Sequence, residues 1–152
     1  MHYIILPILA LVGAIAHILI AKTPVSETLL QYILFFCVGV SGLYAFMGHG
    51  FAANKVAKYI GWEPGSPFQW EIAVTNLAFG VLGILSFWFH GGFWTATIIG
   101  VSVFDFGAAY GHIRDIVKNN NRAPGNAGAP LYSDIAKPMV LIGLLIAYSY
   151  GV

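Results

Sequence analysis

Apolar positions along this chain gather into long runs, not into the spacing of an amphipathic helix or a half-buried strand. Five runs are long enough to cross a bilayer, at about residues 2–21, 25–48, 67–89, 93–113 and 134–151. A hydrocarbon core about 30 Å thick takes about 20 residues of α-helix, each rising about 1.5 Å. The pattern therefore predicts an all-α, polytopic membrane bundle of five transmembrane helices, a single domain over residues 1–152. The last run is the shortest and carries Pro138 in its second turn, so a four-span bundle with that segment in the interface is the alternative. The first run has no Lys or Arg before it and is long enough to span, so it is expected to stay as a helix, unlike a cleavable signal.

The joints between runs differ in length. Residues 22–24 and 90–92 make tight turns, whereas 49–66 and 114–133 are long and polar. Alternating the spans puts the amino terminus and both long joints on one side, with Lys55, Lys58, Arg114, Lys118, Arg122 and Lys137. Lys22 is the only basic residue on the other side. Basic residues flanking spans stay in the cytoplasm, so the amino terminus is expected inside and the carboxyl terminus outside. Composition agrees with a lipid setting: 59% of residues are hydrophobic and 9% charged, against about 25% charged in a soluble domain. The lipid bilayer is thus the first partner expected. A net charge of +1 with no basic run excludes nucleic acid. Cys37 is the single cysteine, which excludes an intrachain disulfide, and within "ILFFCVGV" it reads as a small packed hydrophobe.

Against this apolar background the polar residues stand out. In "WEPGSPFQWE", Pro64 and Gly65 read as a turn and Ser66 as the N-cap of the third span. Gln69 stands where it would complete a capping box, and Trp62, Phe68 and Trp70 have the character of an interfacial belt. Glu71 is left over just past the first turn, with Thr75 one turn on and Asn76 to one side. In the fourth span Asp105 lies deep in apolar sequence, where an acid costs about 2.5–3.5 kcal/mol to insert and defaults to a functional hypothesis. His112 and Asp115 follow near one stripe, and Asp115 is expected to orient the His112 ring. His49 is expected at the same level, as is His2 on the amino terminus. A metal held by His49, His112, Glu71 and Asp115 is chemically permissible, but no HxxH, HExxH or ExxH spacing supports it. The following joint, "NNNRAPGNAGAPLYSD", predicts a shaped turn or lid without helix. Its "GNAG", including Asn126, can offer backbone amides to an anion, with Arg114 and Arg122 flanking it.

"GVSGLYAF" (39–46) and "GVLGILSF" (80–87) share G-V-x-G and a final Phe, a weak sign of internal repetition. Together with the glycines at 100, 107 and 111, they suggest close helix–helix approach.

The strings "GSPFQWEIAVTNLAFGVLGIL", "GAAYGHIRD" and "PGNAG" resemble an uncharacterised family of small bacterial multi-span membrane proteins, a domain of unknown function. The likeness covers about residues 60–150. It implies a bacterial inner-membrane setting and brings no activity with it.

Two classes of function follow from these residues. In the first, Glu71, Thr75, Asn76, Asp105, His112, Arg114, Asp115 and Asn126 line a cytoplasm-facing pocket between spans three and four. That pocket would bind or translocate a small ligand or ion, coupled to protons through the deep acid and the histidine. In the second, His112, Asp115 and Glu71 form the acid–base set of an enzyme acting on a lipid or isoprenoid-like substrate. A structural or accessory subunit is the third reading, and small-residue faces make a homo-oligomer plausible. No cofactor fingerprint is visible.

Overall fold

The structure, a computed structural model, describes the backbone of residues 2–151 and the side chains of residues 3–151. His2 as a site residue therefore lies outside the described side chains. Among the described residues every regular element is helical. Helix α1 (His2–Ala21) is followed by α2 (Val25–Ile33), a π-helical segment (Leu34–Val40) and α3 (Ser41–Phe51), which run on as one span. A short α4 (Ala53–Ile60) leads to α5 (Phe68–Leu85), then α6 (Gly92–Asn119), one turn of α7 (Pro124–Ala127) and α8 (Ala129–Tyr150). Five of these segments are long and apolar enough to cross a membrane. Their outer faces carry large side chains such as Ile4, Leu19, Ile20 and Val103, each more than 65% exposed. Water does not tolerate such a surface over a whole molecule, whereas hydrocarbon does.

The helix ends depart from the expectation around the second polar joint. Helix α6 continues to Asn119, and α8 begins at Ala129, not near residue 134. Pro130 stands in the first turn of α8, where a missing N–H costs nothing because no intrahelical acceptor waits for it. The joint also contains α7, although no helix was expected there. Pro124 opens that turn for the same reason.

The spans are held by two kinds of contact. In one half, Leu30, Leu34, Val38, Trp94, Ile98, Val101 and Leu141 form a continuous buried core. The Trp94 indole donates 2.6 Å to the Ser86 carbonyl, so its one polar atom is satisfied. In the other kind of contact, α3 and the π segment cross α5 through glycines. A Cβ on Gly42 would stand 2.7 Å from Gly80 N, and one on Gly83 would collide with Gly39 N. The two G-V-x-G strings thus face each other across one crossing, and the backbones meet because neither side carries a side chain. Gly107 and Gly111 meet nothing within 4 Å and take no part in such an approach. Helix α6 packs chiefly on α8, and α8 also meets α2, whereas α5 and α6 touch only slightly.

Candidate functional site

The buried charges collect between α6 and α8. Asp105 and His112 are seven apart on α6, and Asp134 and Lys137 three apart on α8, so each pair shares a helix face. Asp105 and Lys137 face each other in this pairing, as do His112 and Asp134. Lys137 Nζ stands 3.2 Å from Asp105 Oδ2, and His112 Nε2 stands 3.7 Å from Asp134 Oδ2. The Asp105 side chain is 3% exposed and that of Lys137 18%. A charge this deep persists only with an opposite charge beside it. The contact is an ion pair at 3.2 Å, and no other described group hydrogen-bonds Asp105 Oδ2.

His112 is held on three sides. Its ring stacks on Trp62 with centroids 6.1 Å apart and planes 19° from parallel. Its Nδ1 lies 2.7 Å from Asn126 Oδ1. The Asn126 amide nitrogen donates to the Asn121 carbonyl at 2.9 Å and to the His112 carbonyl at 3.4 Å. Carbonyls only accept, so the amide must present its nitrogen to them and its oxygen to the ring. Nδ1 must then carry a hydrogen, which leaves Nε2 to face Asp134. At 3.7 Å the Nε2–Asp134 contact is longer than a hydrogen bond.

This arrangement corrects the role expected of Asp115. It does not orient His112; its carboxylate accepts from the Trp62 indole at 3.0 Å, Asn119 at 2.6 Å and Asn121 at 2.6 Å. It thereby fixes the Trp62 ring and the start of the polar joint. Asn121 also donates to the Ile60 carbonyl at 2.9 Å and accepts from the Ala123 amide at 3.1 Å. The joint is stitched shut against α4 and does not hang as a loose flap. A Cβ on Gly125 would stand 2.7 Å from the Tyr59 carbonyl, so backbone meets backbone here as well. Two of the "GNAG" amides are spent within the turn: those of Asn126 and Ala127 both donate to the Ala123 carbonyl at 2.9 Å.

The remaining expected site residues lie apart from this cluster. Glu71 is exposed on α5, and Thr75 spends its hydroxyl on the Glu71 carbonyl at 2.7 Å. Asn76 donates to the Ile72 carbonyl at 2.9 Å. The Gln69 side chain forms no capping box; it is buried and meets His49 Nδ1 at 2.8 Å. Helix α5 opens without a side-chain cap. Arg114 is exposed beside Asp115, Trp62 and Lys118, and Arg122 Nε donates to Asn120 at 3.1 Å. His49, Glu71, His112 and Asp115 are not gathered around a common point, and no group of three metal-ligating side chains occurs among the described residues. Asp134 was missed in the sequence, and Lys137 was read only as a topology marker. The signal available for both was an acid and a base at i and i+3 in the first turns of an apolar helix.

Two further features adjoin the charges. The Ser102 hydroxyl, one turn from Asp105 on α6, and the Thr97 hydroxyl, five residues further and turned well away from Ser102, are buried and have no hydrogen-bond partner among the described residues. A cavity of about 650 Å³ lies between α1, the π segment and α8, with Lys137 in its wall.

The fold defines a polytopic α-helical membrane protein with four ionisable groups, Asp105, His112, Asp134 and Lys137, drawn inward onto one helix pair. Residues 1–151 match the profile of a family of unknown function (DUF6790), and the chain belongs to that family. No curated protein and no solved structure matches it.

Proposed function

We propose that the protein binds protons, and passes them, along a buried polar file between α6 and α8, in a bacterial inner membrane with its amino terminus in the cytoplasm. This retains the expected proton-coupled binding and moves it from spans three and four to spans four and five. The observation that carries it is the registered stack of two pairs, His112 with Asp134 and Asp105 with Lys137. Since Nδ1 of His112 is committed to Asn126, closing the 3.7 Å gap between Nε2 and Asp134 into a hydrogen bond would take one shared proton, held either by the imidazole or by the carboxyl. The pair is a one-proton store at the loop end of the file. Asp105, paired with Lys137, is the next ionisable group inward, and the Ser102 hydroxyl lies one turn further along α6. The enzyme reading has less support, because both His112 ring nitrogens face protein groups and His112 does not line the α1–α8 cavity.

The test is proton uptake by the purified chain in liposomes holding a pH-sensitive dye, under an imposed potassium diffusion potential. Wild-type vesicles are expected to acidify faster than empty ones. Asp134→Asn, which keeps the shape and removes the titrating group, should return the rate to that of empty vesicles while size-exclusion and helical signal stay unchanged. A wild-type rate equal to that of empty vesicles overturns the proposal and leaves the structural-subunit reading standing.

A further inference from the structure

The cavity beside Lys137 has a chemistry of its own. Its walls are mostly apolar, from Leu6, Leu11, Ile33 and Val140 among others, and it is partly open along the α1–α8 side. The polar side chains that line it are Tyr3, Ser41, Tyr132, Ser133 and Lys137, and among the described residues no Asp or Glu lines it. Each of these donates hydrogen bonds, and the ammonium does nothing else. At about 650 Å³ the cavity falls within the roughly 300–1,000 Å³ of small-molecule sites.

From this we infer that the α1–α8 cavity binds a neutral, single-chain amphiphile whose compact head accepts hydrogen bonds through carbonyl oxygens. The apolar walls hold the tail and Lys137 with Ser133 holds the head. Three arguments select this class. Position argues against a phospholipid head: Lys137 lies eight positions into α8, about 12 Å along the helix from its start and inside the segment apolar enough to cross a membrane, not at its end. Charge excludes an anionic head, because Asp105 already neutralises Lys137 at 3.2 Å and Asp134 lies three residues away on the same helix. The ammonium itself turns away a cationic head. What remains is a dipolar acceptor, which takes a hydrogen from Lys137 without breaking the ion pair. The second span closes the site from behind with Ile33, Cys37 and Ser41, spaced four apart on one face.

The site adjoins the proposed proton file at Lys137 and does not depend on it. The experiment is a titration of the detergent-purified full chain, followed by native mass spectrometry, with three probes of similar tail length: decylubiquinone, dodecanoate and dodecylamine. Decylubiquinone is expected to bind in a one-to-one complex at least about tenfold more tightly than either charged probe. Ala136→Trp, an exposed wall position, should remove that binding, and Val103→Trp on the outer face of α6 should leave it unchanged. Ala136→Trp should also keep proton uptake in liposomes, so failure here is distinguishable from failure of the proton reading. Tighter binding of dodecanoate or dodecylamine overturns the head assignment. Equal binding to wild type and Ala136→Trp, or no binding of decylubiquinone, overturns the site.

Discussion

Asp105 and Lys137 show how one residue constrains another in this interior. An ammonium left beside a neutral amide is a buried charge with no counter-ion, and removing one member of such a pair costs about 3–5 kcal/mol. Replacing both members by apolar groups of similar volume is often neutral, because the desolvation cost disappears with the attraction. Asp105→Asn is therefore expected to lower thermal stability in detergent sharply, and Asp105→Leu combined with Lys137→Met to recover most of the loss. A double variant as unstable as the single one would mean that the charges matter through something other than their pairing. Asp134 differs in this respect: its neighbour His112 can be neutral, so Asp134→Asn is compatible with folding. That difference is why Asp134, and not Asp105, serves as the clean probe of proton movement.

At the scale of elements, the crossing of α5 on the π segment and α3 depends on hydrogen atoms standing where side chains would. A Cβ on Gly83 has nowhere to go except into the Gly39 backbone, and backbone cannot swing aside as a side-chain tip can. Gly83→Ala is expected to cost about 1–3 kcal/mol by overpacking, read as a fall in melting temperature. Gly107→Ala has open space and should be neutral or raise stability by up to about 1 kcal/mol through helix propensity. Similar falls for both would show that propensity, not contact, decides. Helices α4 and α7 obey the same logic at the loop end, where Gly125 lets the joint lie on Tyr59 and Asn121 ties it to Ile60.

For the whole molecule, polar and apolar interiors are segregated along the bundle. The half bearing the tight turns is filled by the Trp94 and Leu34 core, with His90 and Glu27 paired at 3.4 Å at its edge. The half bearing the long joints holds the charges, and Lys55, Lys58, Arg114, Lys118 and Arg122 crowd the same end. A bacterial cell membrane keeps such an end on the cytoplasmic side. Alkaline phosphatase fused after residue 152 should accordingly be active and a fluorescent protein at the same place dark. The reverse pattern would invert the molecule and with it the direction from which the proton file is loaded.

Span number, helical class and the buried position of Asp105 followed from the sequence, because each depends on local quantities: the length of an apolar run and the cost of a charge inside it. Asp105 and His112 were likewise legible as residues that need partners, whereas Asn126 was read only as part of an amide-bearing turn. Which partners they take was decided by which helices touch. Sequence neighbours suggested that spans three and four would share the site, yet glycines draw α5 onto the second span and leave α6 to α8. Glu71 therefore ends in the open while Asp134 and Lys137 come inside. Helix–helix choice depends on shape complementarity between surfaces far apart in the chain, and no local period encodes it.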